Sequence, residues 1–162
     1  MSSLIKTVDN LYALFLKVAN SLQSPFLLAV RLFWGWQFIV AGKAKLADIP
    51  TFVDRFAGWG VPAPTLTVYF IASLEVVGGC LLMLGLASRL IALPLTINMI
   101  AAYIIADREA LKAVFSLSDG DKFINAAPCT FLIASLIILT FGPGFFSLDT
   151  LIASRRTKTK AA

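Results

Sequence analysis

The sequence predicts an all-α integral membrane protein: a four-transmembrane-helix bundle with an N-terminal amphipathic interfacial helix. Three observations carry that prediction. Of 162 residues, 59 % are hydrophobic and 14 % charged, against about 45–50 % and about 25 % in a soluble domain. Mean hydropathy is +0.85, and a soluble globule of this size still exposes about a third of its extended-chain surface, leaving no room to hide so much apolar side chain. Finally, apolar residues run almost unbroken over Pro25–Ala41, Thr65–Leu86, Leu90–Ala106 and Ile124–Phe141, and about 20 such residues in a helix cross the hydrocarbon. The runs lack the inside/outside alternation of barrel strands.

Residues 1–24 have a different pattern. Leu4, Val8, Leu11, Phe15, Val18 and Leu22 recur at spacings of four and three, with Lys6, Asp9, Asn10, Lys17 and Asn20 elsewhere on the wheel. This predicts an amphipathic helix in the headgroup plane; the alternative is an early extension of the first span. No small-residue cleavage site follows at signal-peptide distance. The first span carries Arg31, the second Glu75, and the third Pro94 and Asn98. The fourth starts with Asn125 and Pro128 and stops at Gly142-Pro143-Gly144. Residues 25–151 thus form one transmembrane domain, followed by a basic tail over 152–162.

The loops are more than tethers. Phe52, Phe56 and Trp59 are spaced as on one face of a short surface helix, closed by Gly60-Val61-Pro62-Ala63-Pro64. Ala110 to Leu117 predicts two further helical turns, ended by Ser118-Asp119-Gly120-Asp121. That turn lacks the remaining ligands and terminal glutamate of a calcium loop. Basic residues divide almost evenly between the two sides, but Arg155, Arg156, Lys158 and Lys160 crowd the tail. This places both termini in the cytoplasm, in contact with anionic lipid. The net charge of +5 is not gathered into a patch with stacking aromatics, so nucleic acid is not an expected partner.

Ionisable groups inside lipid cost a few kcal/mol each and want partners. Arg31 and Glu75 are predicted to meet as a buried ion pair between the first two spans, the arginine reaching inward. Gly78 and Gly79 share the Glu75 face and mark a close helix approach, and Asn98 is placed to hydrogen-bond across the bundle. The pair is either the polar floor of a pocket, anchoring a quinone carbonyl, a lipid headgroup or a proton path, or a clamp that fixes helix register. Cys80 and Cys129 differ too much in depth to form a disulfide. Histidine is absent, and no metal site, nucleotide-binding fingerprint or nucleophile elbow is present, so no residue is assigned as catalytic.

Several motifs in order then resemble a known family. Arg31-Leu32-Phe33-Trp34-Gly35, Gly42-Lys43-Ala44-Lys45-Leu46 and Gly58-Trp59-Gly60-Val61-Pro62 are similar to the first-helix region of the DoxX family. Glu75-Val76-Val77-Gly78-Gly79, Leu84-Gly85-Leu86-Ala87-Ser88-Arg89 and Gly142-Pro143-Gly144-Phe145-Phe146-Ser147-Leu148-Asp149 resemble its second helix and closing motif. The likeness spans about residues 26 to 151. It implies a four-helix bacterial inner-membrane protein whose relatives include the DoxD-type subunit of thiosulfate:quinone oxidoreductase, and others that act as cargo receptors or assembly chaperones. Its shared polar positions fall on Arg31, Lys43, Glu75, Arg89 and Asp149, with Lys43, Arg89 and Asp149 at helix ends as headgroup contacts or caps. Fold does not fix function. The expected role is a subunit of a quinone- or thiol-associated redox complex, not catalytic alone, with electrons supplied by a partner. It would hold no covalent cofactor, bind a quinone or lipid, and associate with other membrane subunits or with copies of itself. The alternatives are a non-enzymatic scaffold or assembly chaperone and, further off, a small-molecule transporter, which without inverted repeats would need to oligomerise.

Overall fold

The computed structural model describes residues 2–116 and 119–160. Ser118 of the predicted turn, and the side chains of Leu4, Arg156, Lys158 and Lys160, lie outside the described residues. All regular elements among the described residues are helical: α1 (Ser2–Ala47), α2 (Ile49–Gly58), α3 (Pro64–Leu84), α4 (Ser88–Ile105), α5 (Arg108–Phe115), α6 (Gly120–Ile124), α7 (Pro128–Phe141) and α8 (Leu148–Lys160). Three of them, α1, α3 and α4, are long and apolar enough to cross a membrane, while α7 is apolar but has 14 residues. Large apolar side chains such as Phe33, Trp36, Phe70 and Leu90 are exposed on the helix surfaces. A water-soluble fold would bury them; a lipid-solvated one need not.

The amphipathic stretch is not an element of its own. Pro25 lies inside α1 and the helix continues through it, so residues 5–23 are continuous with the helix of the first span. Pro25 removes one hydrogen bond, to the carbonyl a turn earlier, and the remaining ladder holds. The first span also runs past Ala41 to Ala47. Its buried stripe is Leu27, Arg31, Gly35, Phe38 and Gly42, and Lys45 falls next on the same stripe at helical spacing.

α1 and α3 are antiparallel and pack most closely of all, with α4 against α7 on the other side of the bundle. The α1–α3 contact is built on glycine. A Cβ added at Gly35 would stand 2.8 Å from the Gly79 carbonyl oxygen, and one at Gly42 would stand 2.7 Å from that of Ala72. These are backbone atoms that cannot step aside. Gly42→Ala is therefore expected to lower stability by about 1–3 kcal/mol, read as an earlier unfolding midpoint in mild detergent; Gly58→Ala, with open space around it, is the matched control. Between the layers lies a core of Phe38, Leu82, Ala92, Leu95, Met99 and Ile138. The Phe131 ring meets Phe38 edge-on at 4.8 Å.

Helix ends follow local chemistry. Pro64 starts α3 at a position where a missing N–H costs nothing. Gly85, at φ 68°, ends it in the left-handed conformation, with the Leu86 N–H closing onto the Leu81 carbonyl. The fourth apolar helix starts at Pro128 and not at Ile124, because Asp119 caps the short α6 and Asn125 terminates it.

Candidate functional site

Arg31 and Glu75 do not meet. Gly35 faces Gly79 and Gly42 faces Ala72 across the α1–α3 contact, which sets Arg31 opposite the end of α3 and Glu75 further along the helix. Side chains lean toward the N-terminus of their own helix. In an antiparallel pair Arg31 therefore leans toward one end of the bundle and Glu75 toward the other. The inward reach predicted for the arginine runs against that lean.

Arg31 is 1 % exposed and spends its donors on backbone carbonyls. Its Nε donates to Leu82 O at 3.0 Å, and its Nη2 to Phe146 O at 2.9 Å and to Met83 O at 3.4 Å; Nη1 donates to Pro143 O. Leu82 and Met83 belong to the last turn of α3, where carbonyls lose their i+4 partners, Leu82 O keeping a 3.1 Å bond from the Gly85 N–H, and the helix dipole is negative. The guanidinium thus caps α3 from a neighbouring helix and ties in the α7–α8 loop. Asp149 works beside it. Its carboxylate accepts from Ala87 N at 2.7 Å and Ser88 N at 2.9 Å, capping α4 from α8. Arg89 donates to Thr140 O at 3.1 Å. Lys43 is exposed near the end of α1. Gly78 lies under Leu95 of α4, and Gly79 under α1; both are packing positions.

Glu75 belongs to the opposite half of the bundle. Its Oε2 accepts from Lys45 Nζ at 2.6 Å and its Oε1 from Asn98 Nδ2 at 3.3 Å. Both lean in the right sense: Lys45 back along α1, Glu75 back along α3. The Lys45 and Glu75 side chains are 17 % and 4 % exposed. Lys45 is the partner that the sequence reading missed. It lies beyond the apolar run, and only its place on the buried stripe after Phe38 and Gly42 marks it.

The three residues line a cavity of about 290 Å³. Its walls are apolar: Ile71 of α3, Met99 and Ala102 of α4, and Phe131 of α7, with Phe52 and Phe56 of α2, and Trp59 just after it, over one side. The predicted short helix is present as α2, and it is also a wall of the cavity. Phe56 is buried, its ring 5.4 Å from that of Trp59, and Lys45 Nζ stands 5.9 Å from the centre of the Phe52 ring. On the far side Tyr103 donates to Phe123 O at 2.8 Å and stacks on the Phe123 ring, fastening α6 to α4. Asp107 stands on the lining beside Ala106. Cys129 is buried, Cys80 is exposed on α3, and both are free.

Such a cavity suits an apolar molecule with one polar head. The ion pair is neutral as a unit, so an acceptor without charge meets Lys45 and Asn98 donors without adding a buried charge. Arg31, Gly78 and Gly79 do not line it; Glu75 and Asn98 do.

Comparison with known proteins agrees with the motif order. Residues 26–108 match the family model described as DoxX. The "Uncharacterized membrane protein Rv3486" of Mycobacterium tuberculosis is 30 % identical over 138 residues, covering 82 % of this chain and 85 % of that protein. The "Putative oxidoreductase CatD" of Bacillus subtilis is 27 % identical over 125 residues, 77 % of this chain and 85 % of its own. No solved structure gives a significant match. With the family model covering the helices that carry Arg31, Lys45, Glu75 and Asn98, this integral membrane protein belongs to the DoxX family.

Proposed function

We propose that the chain is a multi-pass inner-membrane subunit of a redox-linked complex, and that it holds a quinone headgroup in the cavity floored by Lys45, Glu75 and Asn98. The carrying observation is a neutral, buried ion pair with an amide beside it at the base of apolar and aromatic walls. Lys45 and Asn98 donate to a carbonyl of the ring, Phe52 and Phe131 flank it, and the isoprenoid chain leaves between the helices. No side chain here stores electrons, so a partner protein supplies them and the subunit is not catalytic alone. The oxidoreductase name of one relative supports a redox setting. In this reading α7 is the fourth span. Its 14 residues cover about 21 Å, with the bilayer thinning locally to match. Both termini face the cytoplasm, where the basic tail meets anionic lipid.

The test is purification in mild detergent followed by solvent extraction of bound quinone. The native chain is expected to retain quinone, and Glu75→Gln to retain about tenfold less, since it frees Lys45 from its place at the floor. A native chain that binds none after reconstitution with quinone, or equal retention by Glu75→Gln, overturns the proposal. Protein partners that remain bound while no quinone does would favour the scaffold reading.

A further inference from the structure

The first 20 or so residues of α1 leave the bundle. From Ile5 to Gln23 every residue is exposed, and full burial first appears at Leu27. Val8, Leu11, Phe15, Val18 and Leu22 are 59, 62, 65, 51 and 60 % exposed. Their spacings alternate three and four, the 3.5-residue repeat of a coiled-coil seam. Val8, Phe15 and Leu22 take the a positions, and Leu11 and Val18 the d positions. The charges and amides sort away from the seam: Lys6, Asp9, Asn10, Lys17, Asn20 and Gln23 all fall at b, c or f. The positions flanking the seam, among them Tyr12, Leu14, Ala19 and Ser21, carry no charge, so identical helices do not repel there.

The bilayer is a poor cover for this row. α1 is one helix from Ser2 to Ala47, so the arm continues the course of the first span, bent at most at Pro25. Lying among headgroups asks for about a right-angle turn, which a helix does not make with its hydrogen bonds intact. The 21 residues of α3 match the hydrocarbon thickness alongside the later part of α1, and the arm extends about 28 Å beyond it. A second copy, by contrast, is presented correctly. Every copy has the same orientation in the membrane, so two arms emerge parallel and at one height, with a facing a and d facing d. Tethering in the bilayer raises the local concentration, so a short seam suffices. We infer that residues 5–23 are a parallel coiled-coil zipper joining this chain to a second copy of itself. The inference is independent of what the cavity binds.

Single cysteines test it in the full chain, in native membranes, on a Cys80→Ser, Cys129→Ala background under mild oxidation. Leu11→Cys, Phe15→Cys and Val18→Cys are expected to give at least about fivefold more disulfide-linked dimer than Asn10→Cys, Lys17→Cys and Asn20→Cys, because only the seam brings Cα atoms within about 6 Å. On the otherwise native chain, Leu11→Glu with Val18→Glu is expected to leave monomers by native mass measurement, while Asn10→Glu with Lys17→Glu leaves dimers. Equal yields at all six cysteine positions, or dimers that survive Leu11→Glu with Val18→Glu, would sink the inference. So would cysteines on the apolar row that are shielded by lipid in vesicles holding one chain each.

Discussion

Arg31→Met is expected to cost the fold about 3–5 kcal/mol, the range for stranding the partners of a buried charged donor. The estimate rests on what the guanidinium touches. Two of its acceptors, Leu82 O and Met83 O, are end-of-helix carbonyls, and the other two, Pro143 O and Phe146 O, belong to the α7–α8 loop. Methionine fills the space and answers none of them. Lysine keeps the charge but has one nitrogen where arginine spreads a planar fork over three, so Arg31→Lys is expected to recover less than half of the loss. The measurement is the unfolding midpoint in a denaturing-detergent titration, followed by helicity. A midpoint for Arg31→Met within about 1 kcal/mol of the native chain would show that the carbonyls find other donors and that the cap is dispensable. Quinone retention separates this role from that of the cavity: at temperatures where Arg31→Met stays folded, its ligand content should be unchanged, because Arg31 is not on the lining.

That division of roles was only half legible in the sequence. Three of the four runs were, as helices long and apolar enough to cross a membrane, because continuous apolar runs of membrane length have few other solutions. The second and third runs fell within two residues of α3 and α4, since Gly85 and Pro64 punctuate the chain chemically. The first run was cut short at Ala41 because Gly42-Lys43-Ala44-Lys45 reads as a polar exit. In the fold Gly42 is where α3 crosses, and Lys45 turns back into the bundle to meet Glu75. Glu75 and Asn98 were marked by being polar in an apolar run, and the structure joins them. The partner of Glu75 was misassigned because composition shows two intramembrane charges and invites pairing them. Lean direction and helix register decide otherwise, and register is fixed by where Gly35 and Gly79 touch. The capping of α4 by Asp149, 61 residues away, is a tertiary contact with no local signature.

The cavity proposal is most sharply exposed by removing its charges one at a time and then together. Lys45→Met leaves Glu75 buried without its cation, and Glu75→Leu leaves Lys45 without its anion; each is expected to destabilise by about 3–5 kcal/mol. Lys45→Met combined with Glu75→Leu leaves neither charge, and similar volumes of apolar side chain take their place. Its stability is expected within about 1 kcal/mol of the native chain, so the two single losses fail to add, with a coupling of several kcal/mol. Stability and ligand content then diverge. A pair present only to fix register can be replaced in this way without consequence for the ligand. A pair that forms the floor of a quinone site cannot, because Lys45 is the donor that the ring carbonyl needs and Asn98 alone gives one bond where there were two. The double variant should therefore fold, insert and carry about a tenth or less of the native quinone, the factor that one lost charged hydrogen bond sets. If it folds and keeps its full complement, the ion pair is a structural clamp and the cavity owes nothing to it.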